Sequence, residues 1–359
     1  MTTNGTALLK KLLILFLVFA GLHFAKGFLV PLCIGGVLAT LFLPFCNWME
    51  RKKVRKGIAA LICLLTLMLV ITGIGFLFGW QISELNDDAA IIKERASEVT
   101  TRIQEFLFNN FGISEKTQQE ILMGQQSAVN TMMRSVAGSA ATILTSFILI
   151  HAYVFLLLYY RNHIRKFLLK LASQEQRSEM SQVIHGVAHV SQEYLLGLTK
   201  MIVCLWIMYG IGFSALGVEN AIFFAILCGL LEIVPYIGNI TGTAITLLVA
   251  AVHGASPTLL FGIVLTYSAV QFIQGWFLEP LILGPQVKIN PLFTILALVV
   301  GQLVWGIAGI FLAIPVIAML KIVCDHIVVL KPYGFLIGEI DSSRKKAPLI
   351  KRIRMLFNR

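Results

Sequence analysis

Charged residues divide this 359-residue chain into long apolar blocks. No Asp, Glu, Lys or Arg falls within 27–49, 57–80, 135–160, 201–218, 254–278 or 289–320. About 20 apolar residues, rising ~1.5 Å each, cross the ~30 Å hydrocarbon core of a bilayer, so most of these blocks are long enough to be transmembrane helices. Block 220–252 is a seventh, interrupted by one charge, Glu232, and an eighth at 12–25 is short and holds His23. Lys10 and Lys11 precede it as they would a signal peptide. No clear small-residue cleavage site follows and another span comes at once, so a retained helix is expected. The pattern predicts an all-α, polytopic transmembrane helical protein with about eight membrane segments, the block 289–320 being the last span.

Two polar intervals carry helical periodicity of their own. Ile92, Ala96, Val99, Ile103 and Phe106 recur at spacings of four and three, which gives one apolar helix face for the outer membrane surface or a neighbouring subunit. Ile164, Phe167, Leu168 and Leu171, then Met180, Val183, Ile184, Val187 and Tyr194, form a second such face. Amphipathic spacing reports burial and leaves ordinary packing open for both. The resulting division is 1–160, a four-span part with a helical external loop at 81–134; 161–199, a cytoplasmic amphipathic linker; 200–320, a membrane part with broken or re-entrant helices; and 321–359, a basic tail.

Composition supports a membrane solvent, with 57% hydrophobic and 13% charged residues, against about 25% charged in soluble domains. A net charge of +11 raises nucleic acid as a partner, but its distribution points away from that. Five of the six residues at 51–56 are basic, 161–170 holds four more, and 321–359 has nine bases against three acids. Basic clusters beside span ends follow the positive-inside pattern. They predict an inner-membrane protein with both termini cytoplasmic and 81–134 outside, where eight acids face five bases. Between the fifth span and the last, the parity is met by two full crossings or by two re-entrant hairpins that return to the outer side.

The second half concentrates helix breakers: Pro235, Pro280, Pro285, Pro291 and Pro315, with Gly238, Gly242, Gly275, Gly284, Gly301, Gly306 and Gly309. Non-helical backbone at membrane depth is tolerated only inside protein or along a water-filled cavity, and discontinuous helices commonly hold transported substrates. Glu232 lies three residues before Pro235. An ionised carboxylate at this depth costs several kcal/mol, so it protonates, finds a cation or faces water, unless it pins a helix end by hydrogen bonding. Gly238 and Gly242 make a small-xxx-small spacing suited to close packing. Gln271 and Gln274 share a helix face, for a polar solute or another helix, and Glu279 precedes Pro280 as an interfacial anchor.

Other chemistry is weaker. His185 and His189 have the i, i+4 spacing of a zinc pair, but Gly186 stands where a metalloprotease needs its glutamate. Ser214, with His253 as a notional base, lacks any visible oxyanion element. There is no GxxxxGK[ST] motif for an ATP-driven pump. The six cysteines form no CxxC pair and are expected as buried small hydrophobes. No metal, cofactor or catalytic residue is expected.

The stretches EYLLG (193–197), LLEIVPYIGNITG (230–242), QFIQGWFLEPLILG (271–284) and NPLFTILALVVGQLVWGIAGIFLAIPV (290–316) resemble the AI-2E family of bacterial permeases, also called PerM-type, and the first half agrees in layout. The resemblance implies export of small solutes, with autoinducer-2 as the namesake substrate and sodium (lithium)/proton antiport in some relatives. The resemblance carries over Glu232, Pro235 and Gly238 of an E-x-x-P-x-x-G element, then Gln271, Gly275, Pro280, Gly284 and Pro291; together with the polar residues read above, the expected pathway residues are Glu232, Pro235, Tyr236, Gly238, Gln271, Gln274, Glu279, Pro280, Asn290 and Pro291. Two positions depart from the family pattern: Gln274 stands where relatives usually carry an acid, which removes a charge available for ion coupling, and Leu198 stands where a Gln often follows the glycine. Three functions are therefore weighed: efflux of a small polar solute, monovalent cation/proton antiport at Glu232, and a non-transporting envelope scaffold. The helical external loop and the glycine-rich faces suggest a homo-oligomer.

Overall fold

The computed structural model describes residues 2–87, 140–234, 237–283 and 289–339. The amphipathic stretch 92–106, Pro235, Tyr236, Gly284, Pro285 and the tail from 340 onward lie outside the described residues. Among the described residues the chain is helical throughout and has no strand; an antiparallel bridge joins Ile289 to Gly338.

Helices α1 (Thr2–Phe24), α2 (Lys26–Arg51), α3 (Lys56–Asp87) and α4 (Ala140–Leu171) form the first half. Small residues let α4 lie close on α2: a side chain at Gly35 would strike the Tyr153 Cβ. Below that contact Cys46, Ala60, Cys63, Val154 and Leu158 are buried together, and two of the cysteines thus serve as small hydrophobes. Arg161 of α4 closes this core, its Nη2 lying 2.5 Å from Glu50 Oε2 and 3.1 Å from Asn47 Oδ1. The ion pair puts Arg161, ten residues before the end of α4, beside the basic α2–α3 turn, and with Gly35 against Tyr153 about two turns earlier on α4, α2 and α4 run in the same direction.

Helix α5 (Arg177–Ala215) is continuous for 39 residues. It runs through the 199/200 boundary, as α4 runs through 160/161, so 161–199 comprises the end of α4, a short turn and the start of α5. The physical reason is that neither boundary carries a proline or any turn chemistry that would end a helix.

Beyond α5 come α6 (Ala221–Leu231) and α7 (Ile237–Val252), about 16 and 24 Å long at the α-helical rise. They fold as a hairpin on α5: Gly210 faces Ala225, and Trp206 covers Gly229 while its Nε1 donates to the Ile226 carbonyl at 3.1 Å. The two roots meet again, because His253 Nδ1 lies 2.8 Å from Glu219 Oε2. The block 220–252 therefore enters and leaves on one side, the side where α3 ends, since Gln81 lines the same small cavity as Glu219 and His253.

Helix α8 (Pro257–Ile273) then runs antiparallel to α5, with Gly262 against Leu216 and Gly212 against Thr266. Its start is fixed by Ser256, whose Oγ accepts from the Leu259 N–H at 3.2 Å ahead of Pro257. Pro280 does not interrupt it. The helix instead widens into a π-helical stretch, Gln274–Leu283, which corrects the expectation of a break. Proline lacks an N–H and crowds the carbonyl four residues back, and a wider turn relieves that crowding without parting the chain.

The block 289–320 is also not one span. It is a helical pair, α9 (Pro291–Trp305) and α10 (Ile307–His326), turned at Gly306 with φ +64°. Thirty-two residues of helix would extend about 48 Å, well beyond the ~30 Å core. Glycine at 301 and 309 lets the backbones touch where any side chain would collide. At the tip, Trp305 Nε1 donates to the Leu22 carbonyl at 2.9 Å, near the α1–α2 turn. At the base, the Asn290 N–H donates to the Ile337 carbonyl at 2.8 Å, joining α9 to α11 (Lys331–Ile337). Parity is thus met by a combination: one hairpin that returns to its own side, a crossing by α8 and its π extension, and a helical pair.

Six of the described helices are long and apolar enough to cross a bilayer. Their outer faces leave large side chains bare, Leu69 and Phe76 each at 74% exposure, a surface that suits hydrocarbon and not water.

Candidate functional site

Glu232 sits at the tip of the α6–α7 hairpin, where α6 ends and the chain turns. Its N–H still donates to the Cys228 carbonyl at 3.3 Å, so the residue is fixed by the last turn of α6 while its side chain leaves the helix. Close return of the chain depends on Gly238, because any side chain there would occupy the Leu231 carbonyl. This is the glycine of the E-x-x-P-x-x-G element, and its role is steric. Gly242, one turn on, packs on Cys228 in the same way.

The carboxylate faces α8. Gln274 Nε2 donates to Glu232 Oε1 at 2.7 Å, and Gln271 Nε2 donates to Gln274 Oε1 at 3.3 Å and to the Tyr209 hydroxyl at 3.2 Å. Four side chains from three elements therefore form one line, Glu232–Gln274–Gln271–Tyr209, linking the hairpin tip to α8 and α5. The line is buried: Glu232 is 8% exposed, Gln274 2% and Tyr209 fully covered. Gln274 is the first residue of the π-helical stretch, so the widened turn begins where the helix meets the carboxylate. Glu279 is exposed but within reach of the Gln274 amide.

Three buried oxygens nearby have no hydrogen-bond partner among the described residues: Glu232 Oε2, Asn239 Oδ1 and Thr243 Oγ1. Asn239 and Thr243 are four apart on α7 and share a face, and Asn239 interacts with Glu232 across the turn. Buried polar groups are ordinarily paired, so a cluster of free acceptors beside a carboxylate is a place for a donor or a cation.

Of the residues expected from sequence, the structure unites Glu232, Gln271 and Gln274, with Gly238 shaping the turn and Glu279 at the edge. Asn290 and Pro291 do a different job. The Asn290 side chain caps α9 by accepting from the Leu292 N–H at 3.0 Å, with Pro291 at the first helical position. His189 approaches Glu193 at 4.0 Å on an exposed face beside His185, while His253 is engaged by Glu219 and Ser214 is exposed. Among the described residues no group of three or more metal-ligating side chains converges.

A model of the AI-2E family of transporters matches residues 12–329. The chain belongs to the AI-2E family. It is a multi-pass membrane protein of a transporter family, and the match extends through both halves of the fold. It is 23% identical to YrrI of Bacillus subtilis (strain 168) over 84% of this chain and 87% of that one. It is 25% identical to YhhT of Escherichia coli (strain K12) over 89% and 90%. Both relatives are named only provisionally as transport proteins. The AI-2 transport protein TqsA of Escherichia coli (strain K12) is 22% identical over 90% of this chain and 93% of its own.

Within this AI-2E chain, sequence reasoning missed Tyr209, Asn239 and Thr243. Tyr209 is a lone hydroxyl in the otherwise apolar block 201–218, and Asn239 and Thr243 are polar positions at i, i+4 just after the break. Intramembrane polarity at helical spacing was the available signal.

Proposed function

We propose that this AI-2E transporter exports a small polar solute, such as autoinducer-2, across the bacterial inner membrane, and that the solute passes the line Glu232–Gln274–Gln271–Tyr209. The observation that carries this reading is the buried line itself. It joins a hairpin tip to a widened helix with hydrogen-bonding groups that a polyol or hydroxyketone can exchange for its own. The TqsA relation supports the named substrate. The basic side of the molecule, where Arg161 meets the α2–α3 turn, supports cytoplasmic termini.

The free acceptors Glu232 Oε2, Asn239 Oδ1 and Thr243 Oγ1 favour a second reading, a monovalent cation held at the hairpin tip and exchanged for a proton. Proteoliposome flux separates the two. Autoinducer-2 movement that is indifferent to a sodium gradient and abolished by Glu232→Gln supports export. Sodium-dependent proton movement supports antiport. No movement of either solute or ion sinks both and leaves the scaffold reading.

A further inference from the structure

On the basic side of the first half, α2, α4 and α5 enclose a groove of about 480 Å³, open on one side. This volume lies within the ~300–1,000 Å³ range of small-molecule sites. The apolar stripe of α5 forms one wall, since Met180, Val183, Ile184 and Val187 all line it. That stripe, read from sequence as a packing face, is therefore spread along a cavity. On α4 the lining runs from Leu157 to Leu168, about 17 Å of helix, which is close to the depth of one leaflet.

The chemistry of the walls is one-sided. Their hydroxyls are spent within their own helices, Thr40 Oγ1 donating to the Val37 carbonyl at 2.7 Å and Ser191 Oγ to the Val187 carbonyl at 2.8 Å. Arg161 is held by Glu50, Asn47 and the Leu158 carbonyl. A polar solute would find almost nothing to bind here. Arg165 is different: it lines the rim, is exposed, and has no ion-pair partner among the described residues. An apolar slot one leaflet deep with a free guanidinium at its rim complements a chain with an anionic head, and basic pockets between transmembrane helices recognise such headgroups.

We propose that this groove binds one anionic phospholipid, its acyl chain between α2, α4 and α5 and its phosphate on Arg165. The site is separate from the line at Glu232 and does not depend on what the protein carries.

Native mass spectrometry of the full chain in detergent, titrated with palmitoyl-oleoyl phosphatidylglycerol and with the phosphatidylcholine of the same chains, tests it. Phosphatidylglycerol should be retained about tenfold more strongly, as one charge-assisted contact gives. Arg165→Glu, an exposed change, should remove that preference, and Ala188→Trp should remove binding of either lipid while thermal unfolding of the protein stays cooperative. Equal retention of the two lipids, or an Arg165→Glu variant that keeps the preference, overturns the proposal. So does an Ala188→Trp variant, cooperatively folded, that binds as before. Two further results count against it: disulfide cross-linking between copies carrying Ile184→Cys, which would make the groove a subunit interface, and displacement of the lipid by palmitate followed by palmitate flux, which would make it a cargo site.

Discussion

Gln274 Nε2 donates to Glu232 Oε1 across 2.7 Å, so an amide stands directly against the acid at the hairpin tip. The contact is between helices that are 42 residues apart in sequence. It holds the tip of α6–α7 to the first turn of the π-helical stretch, and it determines what each partner can do.

Replacing the amide by an apolar group should show this. Gln274→Leu removes the donor to Glu232 Oε1 in a buried site, at a cost of roughly 1–3 kcal/mol, while Gln271 keeps its bond to Tyr209. Thermal unfolding in detergent should fall, and transport should fall with it. Gln274→Glu instead brings two carboxyls together, and one of such a pair retains a proton into the range where a lone carboxylate has lost it. Flux measured against pH should then follow a profile shifted from that of the parent chain; identical profiles would show that position 274 does not touch the transport step.

Glycine at 238 should be intolerant. Gly238→Ala places a methyl group on the Leu231 carbonyl, a backbone atom that cannot rotate away, and overpacking of this kind costs about 1–3 kcal/mol. Gly275→Ala, with open space around it, should leave the unfolding temperature nearly unchanged. Equal effects of the two substitutions would mean that the turn is wider than described.

The Glu50–Arg161 pair gives a third expectation. Glu50→Ala strands a partly buried guanidinium between α2 and α4 and should destabilise the protein by roughly 1–3 kcal/mol. Replacing both partners by apolar residues, Glu50→Leu with Arg161→Met, should recover most of the loss, because the cost lies in the unpaired charge. Chemical denaturation of the three variants in one detergent measures the difference.

Topology can be tested at the roots of the hairpin. Glu219→Cys and His253→Cys, made singly in a background without the native cysteines, should both react with a membrane-impermeant thiol reagent from the same side. Together they should be joined by a short bifunctional thiol cross-linker, since the parent side chains meet at 2.8 Å. Labelling from opposite sides would replace the returning hairpin with a full crossing.

Much of this architecture was legible in the spacing of charges. Uncharged blocks at 27–49 and 57–80 lie within α2 and α3, and 201–218 lies within α5 but for its last three residues, because an apolar run of that length has few alternatives in a bilayer. Glu232 and the two glutamines were legible as polar residues at membrane depth. Their joining was not, since the partner Tyr209 comes from a helix whose rotation is set by Gly210, Gly212 and the side chains they admit. Hydropathy also cannot separate one long span from a tight helical pair. At 289–320 the difference rests on Gly306 in a left-handed conformation and on two glycines facing each other, features that leave the apolar pattern unbroken. Pro280 misled for a related reason: proline forbids one hydrogen bond, and the chain answered by widening the helix.

The bond from Trp305 to the Leu22 carbonyl has a meaning for biosynthesis. It closes across 283 residues, between one of the first helices made and one of the last. At synthesis rates of ~5–20 residues per second, about 14–57 s separate the emergence of the two partners. Through that interval α1 has α2 beside it and its clasp to α9 unmade. Synthesis of α1 and completion of its tertiary contacts are thus well separated in translation, and a ribosome stalled before Trp305 would leave α1 made but not fastened.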